Sequence, residues 1–104
     1  MKRHAFIMRL NPGMAEEYRR RHDAIWPELV REHLDRGIRD YSIFLDEASN
    51  TLFAFRKLTD NETTAAMPCD EIVRKWWKYN ADLMDCNADN SPVAHDLTEI
   101  FHMD

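Results

Sequence analysis

The chain has 104 residues, 44% hydrophobic and 11% aromatic, enough to form one packed core and too much for a disordered segment. Its 14 Lys and Arg against 19 Asp and Glu give a net charge of −5, a field that repels phosphate polymers and anionic membranes, so neither nucleic acid nor membrane is expected as a partner. Cys69 and Cys86 cannot make a disulfide framework, no apolar run approaches the roughly 20 residues of a membrane span, and Arg9 interrupts the N-terminal apolar run too early for a secretory signal, so a single domain over 1–104 in a reducing cytoplasm is expected.

Residues Arg3 to Leu10 are rich in strand formers, with Ala5 and Ile7 on one face and Phe6, Met8 and Leu10 on the other, so the strand should be covered on both sides. Asn11-Pro12-Gly13 offers an N-cap with Pro at the first helical position, and Glu16 and Glu17 suit the first turns of a helix. Along that helix Met14, Tyr18 and His22 share one stripe, while Glu16–Arg20 and Glu17–Arg21 are expected to pair on the opposite, solvated side. Trp26-Pro27 should kink the helix near Asp23 and Ala24, after which Leu29, Val30, His33 and Leu34 repeat at helical spacing up to a stop at Gly37.

Ile38–Asp46 and Thr51–Leu58 read as two strands of an antiparallel hairpin joined by Asp46-Glu47-Ala48-Ser49-Asn50. Thr59 to Ala66 suits a short helical turn ended by Met67-Pro68, and Asp70 should cap a second helix with Ile72, Trp76, Tyr79 and Leu83 on one stripe and Val73, Trp77 and Met84 on the next. Asp85 to Pro92 is a polar loop of the kind that carries function, and Val93–Ala94 with Leu97–Met103 is expected to form the last strand. The order is βαββαβ, an α+β ferredoxin-like subunit with both helices on one sheet face. Strands apolar on both sides leave the second face to be covered by a second copy, so a homodimer is expected.

Tyr18 and His22, one turn apart, either converge on a small molecule or form a core pair, and Trp76-Trp77 either packs the core or supplies indole faces for the C–H faces of a sugar. No HxH, HExxH or CxxC motif is present, and Gly13 and Gly37 are the only glycines, so no metal site and no cofactor cradle are expected. Taken together, Tyr18-Arg19-Arg20-Arg21-His22, Ile25-Trp26-Pro27-Glu28-Leu29, Tyr41-Ser42-Ile43-Phe44-Leu45, Lys75-Trp76-Trp77-Lys78-Tyr79 and Asp89-Asn90-Ser91-Pro92-Val93 resemble the L-rhamnose mutarotases over nearly the whole chain. The resemblance implies a dimeric α/β barrel and cofactor-free interconversion of the α and β anomers of L-rhamnose. It also implies a proton donor at His22 and sugar contacts at Tyr18, Tyr41, Trp76 and Trp77. Asn80 and Asp85-Cys86-Asn87-Ala88 depart from the family pattern at the expected pocket rim. Two other readings fit the strand order: a cofactor-less oxygenase of the same barrel architecture, and an RRM-like nucleic-acid-binding module with Leu52-Phe53-Ala54-Phe55 as its third-strand aromatics.

Overall fold

The computed structural model describes residues 1–104. Four strands, β1 (Lys2–Arg9), β2 (Ile38–Asp46), β3 (Thr51–Leu58) and β4 (His95–Asp96), form one antiparallel sheet in the order β2-β3-β1-β4. Between β1 and β2 lie α1 (Ala15–Asp23) and α2 (Pro27–Asp35); between β3 and β4 lie a 3-10 turn (Thr64–Cys69) and α3 (Glu71–Asn80). This is the expected ferredoxin-like order, with the first helical connection divided in two.

Alternation along the strands decides the layering. Phe6, Met8 and Leu10 from the first strand region and Leu52 and Ala54 from β3 point toward the helices, where they meet Tyr18, Leu83 and Met84. A second cluster joins Leu29 of α2, Ile38, Leu58, Met67, Val73 and Trp76. The opposite sheet face is also apolar, because Ile7 pairs across the ladder with Phe53, and Phe53 in turn with Phe44. Phe44 and Phe53 are exposed in the single subunit.

Strand β2 contains a bulge. Arg39 pairs with Lys57 and Ser42 with Phe55, so Asp40 and Tyr41 together oppose Arg56, and Asp40 takes a φ of 50°. The extra residue lets Ile38 and Tyr41 both face the helices although they are three apart.

Several local expectations are corrected. Asn11-Pro12-Gly13-Met14 is a turn closed by the Met14 amide on the Asn11 carbonyl, with Gly13 at φ 80°, and α1 starts three residues later than a Pro12 start implies. Pro suits the second position of such a turn as well as the start of a helix; the left-handed Gly after it decides for the turn. The kink is a full break, since Trp26, held extended by Pro27, ends the helical path for three residues and α2 starts afresh. The short helical turn lies at Thr64–Cys69 rather than Thr59–Ala66 and runs through Pro68. Asp70 precedes α3 but does not cap it, because its carboxylate takes a bidentate pair from Arg36 at 2.6 and 3.1 Å, tying the end of α2 to the start of α3.

The last strand is shorter and placed differently than expected, being only His95–Asp96. The Leu97 amide still donates to the Ala5 carbonyl, and Arg3 pairs with Glu99, but no ladder follows. Ile100, Phe101 and Met103 of this arm are largely exposed, Ile100 at 93%. The residues have strand propensity without a surface in their own subunit to pack on, and in a strand burial outweighs propensity. No helix is long and apolar enough to cross a membrane.

Candidate active site

Between the helices and the inner sheet face lie two adjoining cavities, an outer groove of about 1020 Å³ and an inner pocket of about 270 Å³. Tyr18, His22, Leu29, His33, Tyr41, Ile43 and Trp76 line both. The inner volume lies just below the usual range of about 300–1,000 Å³ for small-molecule sites.

His22 comes from the last turn of α1 and is oriented by its own helix. Its Nδ1 donates to the Tyr18 carbonyl at 3.0 Å, which leaves Nε2 as the free nitrogen of the neutral ring. The imidazole stacks on the Tyr18 ring at 4.1 Å and meets the edge of Trp76 at 5.2 Å. Burial pushes its pKa below the usual imidazole value, opposed by the hydrogen bond to Tyr18 and by the nearby Asp23 carboxylate. Burial raises the Tyr18 phenol, with a smaller push from Tyr41, and also raises the Tyr41 phenol, against Arg56. Neither tyrosine is therefore a base near neutral pH.

Trp76 is buried and held by aromatic neighbours: Trp26 meets it edge-on at 5.0 Å, and Trp26 stacks on Tyr79 at 5.5 Å. Arg21 extends this support. Its guanidinium lies 4.6 Å from the Tyr79 ring centroid, pairs with Glu17 and Asp82, and donates to the Tyr79 carbonyl. The solvated side expected for the Glu17–Arg21 pair is thus corrected at Arg21, whose side chain is only 12% exposed because it bridges α1 to the end of α3. Glu17 serves both Arg20 and Arg21, and no Glu16–Arg20 pair forms. Hydrogen bonds from both guanidiniums hold the Glu17 carboxyl at about 2.

All five residues assigned through the resemblance come together. Tyr18, His22, Tyr41 and Trp76 line both cavities, whereas Trp77 lines only the inner one. The polar loop also arrives there: Asn90, Ser91 and Pro92 line the inner pocket. Asp89 accepts from the Ser91 amide and hydroxyl, and the Asn87 amide donates to the Ser91 carbonyl, so the loop is folded by its own hydrogen bonds with Asn90 at φ 70°.

Further polar residues reach the inner pocket, among them Thr64 of the 3-10 turn. His33 sits on α2, Arg56 on β3 and Asn80 at the end of α3. Arg56 was visible in principle, since it occupies the inward frame Leu52-Ala54-Arg56-Leu58 where an apolar residue is the rule. Its Nε donates to His4 Nδ1 at 3.0 Å, so His4 carries its proton on Nε2 and donates to Asp96 at 3.0 Å. Asn80 is buried, its amide nitrogen donates to the Trp76 carbonyl at 3.0 Å, and its Oδ1 is sealed without a partner. No group of three or more His, Cys, Asp or Glu is arranged to hold a metal ion.

The fold and pocket define a small α+β ferredoxin-like protein whose inner sheet face, together with its helices, encloses a histidine among aromatic rings. A sequence profile described as L-rhamnose mutarotase matches residues 3–103. The chain is 55% identical to an L-rhamnose mutarotase of Sinorhizobium fredii over 99% of both chains, and 52% identical to one of Phocaeicola vulgatus over the full length of both. The crystal structure of L-rhamnose mutarotase from Formosa agariphila superposes with a TM-score of 0.93 at 47% identity, covering both chains completely. The chain belongs to the L-rhamnose mutarotase family, which sets aside the oxygenase and RRM-like readings.

Proposed function

We propose that this protein interconverts the α and β anomers of L-rhamnopyranose by acid/base ring opening and closure, with His22 as proton carrier and Tyr18, Tyr41, Trp76 and Trp77 as sugar contacts. The observation that carries it is the His22 ring, fixed through Nδ1 with Nε2 free in a pocket of single-sugar size walled by Trp76 and Trp77. His22 delivers a proton to the ring oxygen, the C1–O5 bond breaks as the anomeric hydroxyl loses its proton, the aldehyde carbon rotates, and the ring closes on its other face. Imidazole suits this work because it gives and takes protons near neutral pH. The indole faces of Trp76 and Trp77 suit the sugar's C–H faces and its 6-methyl group. The chemistry itself calls for neither metal nor redox cofactor.

The test is NMR magnetisation exchange between the two anomeric protons of L-rhamnose. Exchange that appears on adding the protein and scales with its concentration supports the proposal, and unchanged exchange at ample folded protein sinks it.

A homodimer is the second part of the proposal. Ile7, Phe44 and Phe53 present an apolar outer sheet face, and the same chain exposes Ile100, Phe101 and Met103 on its C-terminal arm. A second copy related by a two-fold axis covers this surface, completing the dimeric α/β barrel. Sedimentation should give twice the subunit mass, and Phe53→Glu should shift the protein toward the single-subunit mass; a concentrated wild-type sample sedimenting as one subunit would rule the dimer out.

A further inference from the structure

Ring opening moves two protons, one onto the ring oxygen and one off the anomeric hydroxyl, and His22 accounts for one of them. We propose that His33 is the second proton carrier, taking the anomeric hydroxyl proton at Nε2 while His22 serves the ring oxygen. The proposal rests on the assignment of the inner pocket to the sugar.

His33 repeats the geometry of His22 on the next helix. Its Nδ1 donates to the Leu29 carbonyl at 2.8 Å, four residues back, as His22 does to Tyr18, so Nε2 is again the lone-pair nitrogen. That nitrogen has no protein partner, and it is not sealed, because Asn80 Oδ1 is the sole buried side-chain polar atom left unpaired. His33 lines both cavities with His22, and its ring lies 5.9 Å from that of Tyr41.

The other titratable groups are unsuited. No Asp or Glu lines the inner pocket, the Arg56 guanidinium offers no acceptor atom, and the phenols of Tyr18 and Tyr41 are pushed up. One charge, that of Arg56, distinguishes the surroundings of the two histidines. His33 shares its cavities with His22 of α1 and lies near Tyr41 of β2, Arg56 of β3 and Glu32 of its own helix; burial and the Arg56 charge lower its pKa against the pull of its bond to Leu29 and of Glu32. His22 is also lowered by burial, but its nearby charge is Asp23, which favours the imidazolium. Arg56, which has no counterpart beside His22, favours His33 as the base.

The step balances. The His22 imidazolium gives its Nε2 proton to O5, the C1–O5 electrons stay with O5, the O1–H pair becomes the C1=O1 bond, and that proton goes to His33 Nε2. Closure runs the same transfers backward after the carbonyl has turned, returning the proton to His22.

His33→Gln keeps a polar side chain of similar reach but carries no proton. In the anomer-exchange assay kcat should fall about 100-fold, with KM changed less than about threefold. Of the two limbs of the kcat pH profile, the rise on leaving acid, which reports a neutral His33, should vanish while the fall toward alkali, which reports a protonated His22, remains. A kcat within about twofold of wild type, or a fall with both limbs intact, overturns the proposal. In unaltered protein, long-range proton–nitrogen spectra should show the His33 Nε2 signal moving when L-rhamnose saturates the pocket; an unmoved signal also overturns it. Wild-type protein that leaves the anomers unexchanged sinks the sugar assignment itself, whereas wild-type exchange with an indifferent His33→Gln sinks this proposal alone.

Discussion

His22→Ala should reduce protein-catalysed exchange of the L-rhamnose anomers by about 10²–10⁴-fold, the range that a positioned acid or base contributes. The fold should survive. The variant loses the stack on Tyr18 and the edge contact with Trp76, each worth about 1 kcal/mol or less for a half-exposed ring, and the helix keeps all its backbone bonds. Exchange measured beside far-ultraviolet circular dichroism separates the two effects: a folded variant exchanging at the wild-type rate would remove His22 from the mechanism. The lowered pKa of His22 and of His33 also sets a sign for stability. The unfolded chain binds their protons first, so their contribution is complete above the ordinary imidazole pKa of about 6.5 and is lost as pH falls through the lower folded values.

Gly37→Ala should cost far more stability than Gly13→Ala, whose added methyl would meet nothing within 4 Å. Gly37 takes a φ of 94°, where an L side chain costs about 1–2 kcal/mol. A Cβ would lie 2.7 Å from Glu62 Cβ, 2.9 Å from Glu62 Cα and against the Thr59 hydroxyl, so the loop after β3 must also move. Overpacking of this kind costs about 1–3 kcal/mol. The sum, about 3 kcal/mol, predicts a Tm lower by at least about 10 °C, and an unchanged Tm would show that the loop yields freely. The position matters to the site because Gly37 joins the helix bearing His33 to the strand bearing Tyr41. Exchange activity should therefore fall in step with the loss of folded protein on warming.

Much of the frame is legible from residue patterns. The hairpin strands, the stop at Gly37 and the apolar double face of β1 follow from alternation and turn chemistry. Pro12 and Asp70 show why boundaries are less so. Each residue has two uses of similar energy, turn or helix start for Pro12, cap or ion-pair partner for Asp70, and tertiary neighbours choose between them. Asp70 is drawn by Arg36, 34 residues away, which no local window contains. The same limit governs the site. Tyr18 and His22 are visible as an i, i+4 pair, and Trp76-Trp77 as an unusual dipeptide, but nothing local brings Tyr41 to them; the resemblance supplied it. His33 looked like one more position in an apolar helical stripe. Its significance lies in long-range neighbours, Tyr41 and Arg56, that face each other only after the sheet has formed.

The bulge at Asp40 and Tyr41 gives β2 two reading frames. Before it, even-numbered Ile38 is the residue that closes the core; after it, odd-numbered Tyr41, Ile43 and Leu45 turn inward while Ser42 and Phe44 turn out. One inserted residue thus acts as a phase change along a single strand. It points the Tyr41 ring into the cavity and, by the same shift, points Phe44 away from it onto the outer face. The inner pocket and the proposed partner surface are therefore coupled through chain register, so a sequence that lost this one residue would misplace the Tyr41 ring and the apolar outer face together.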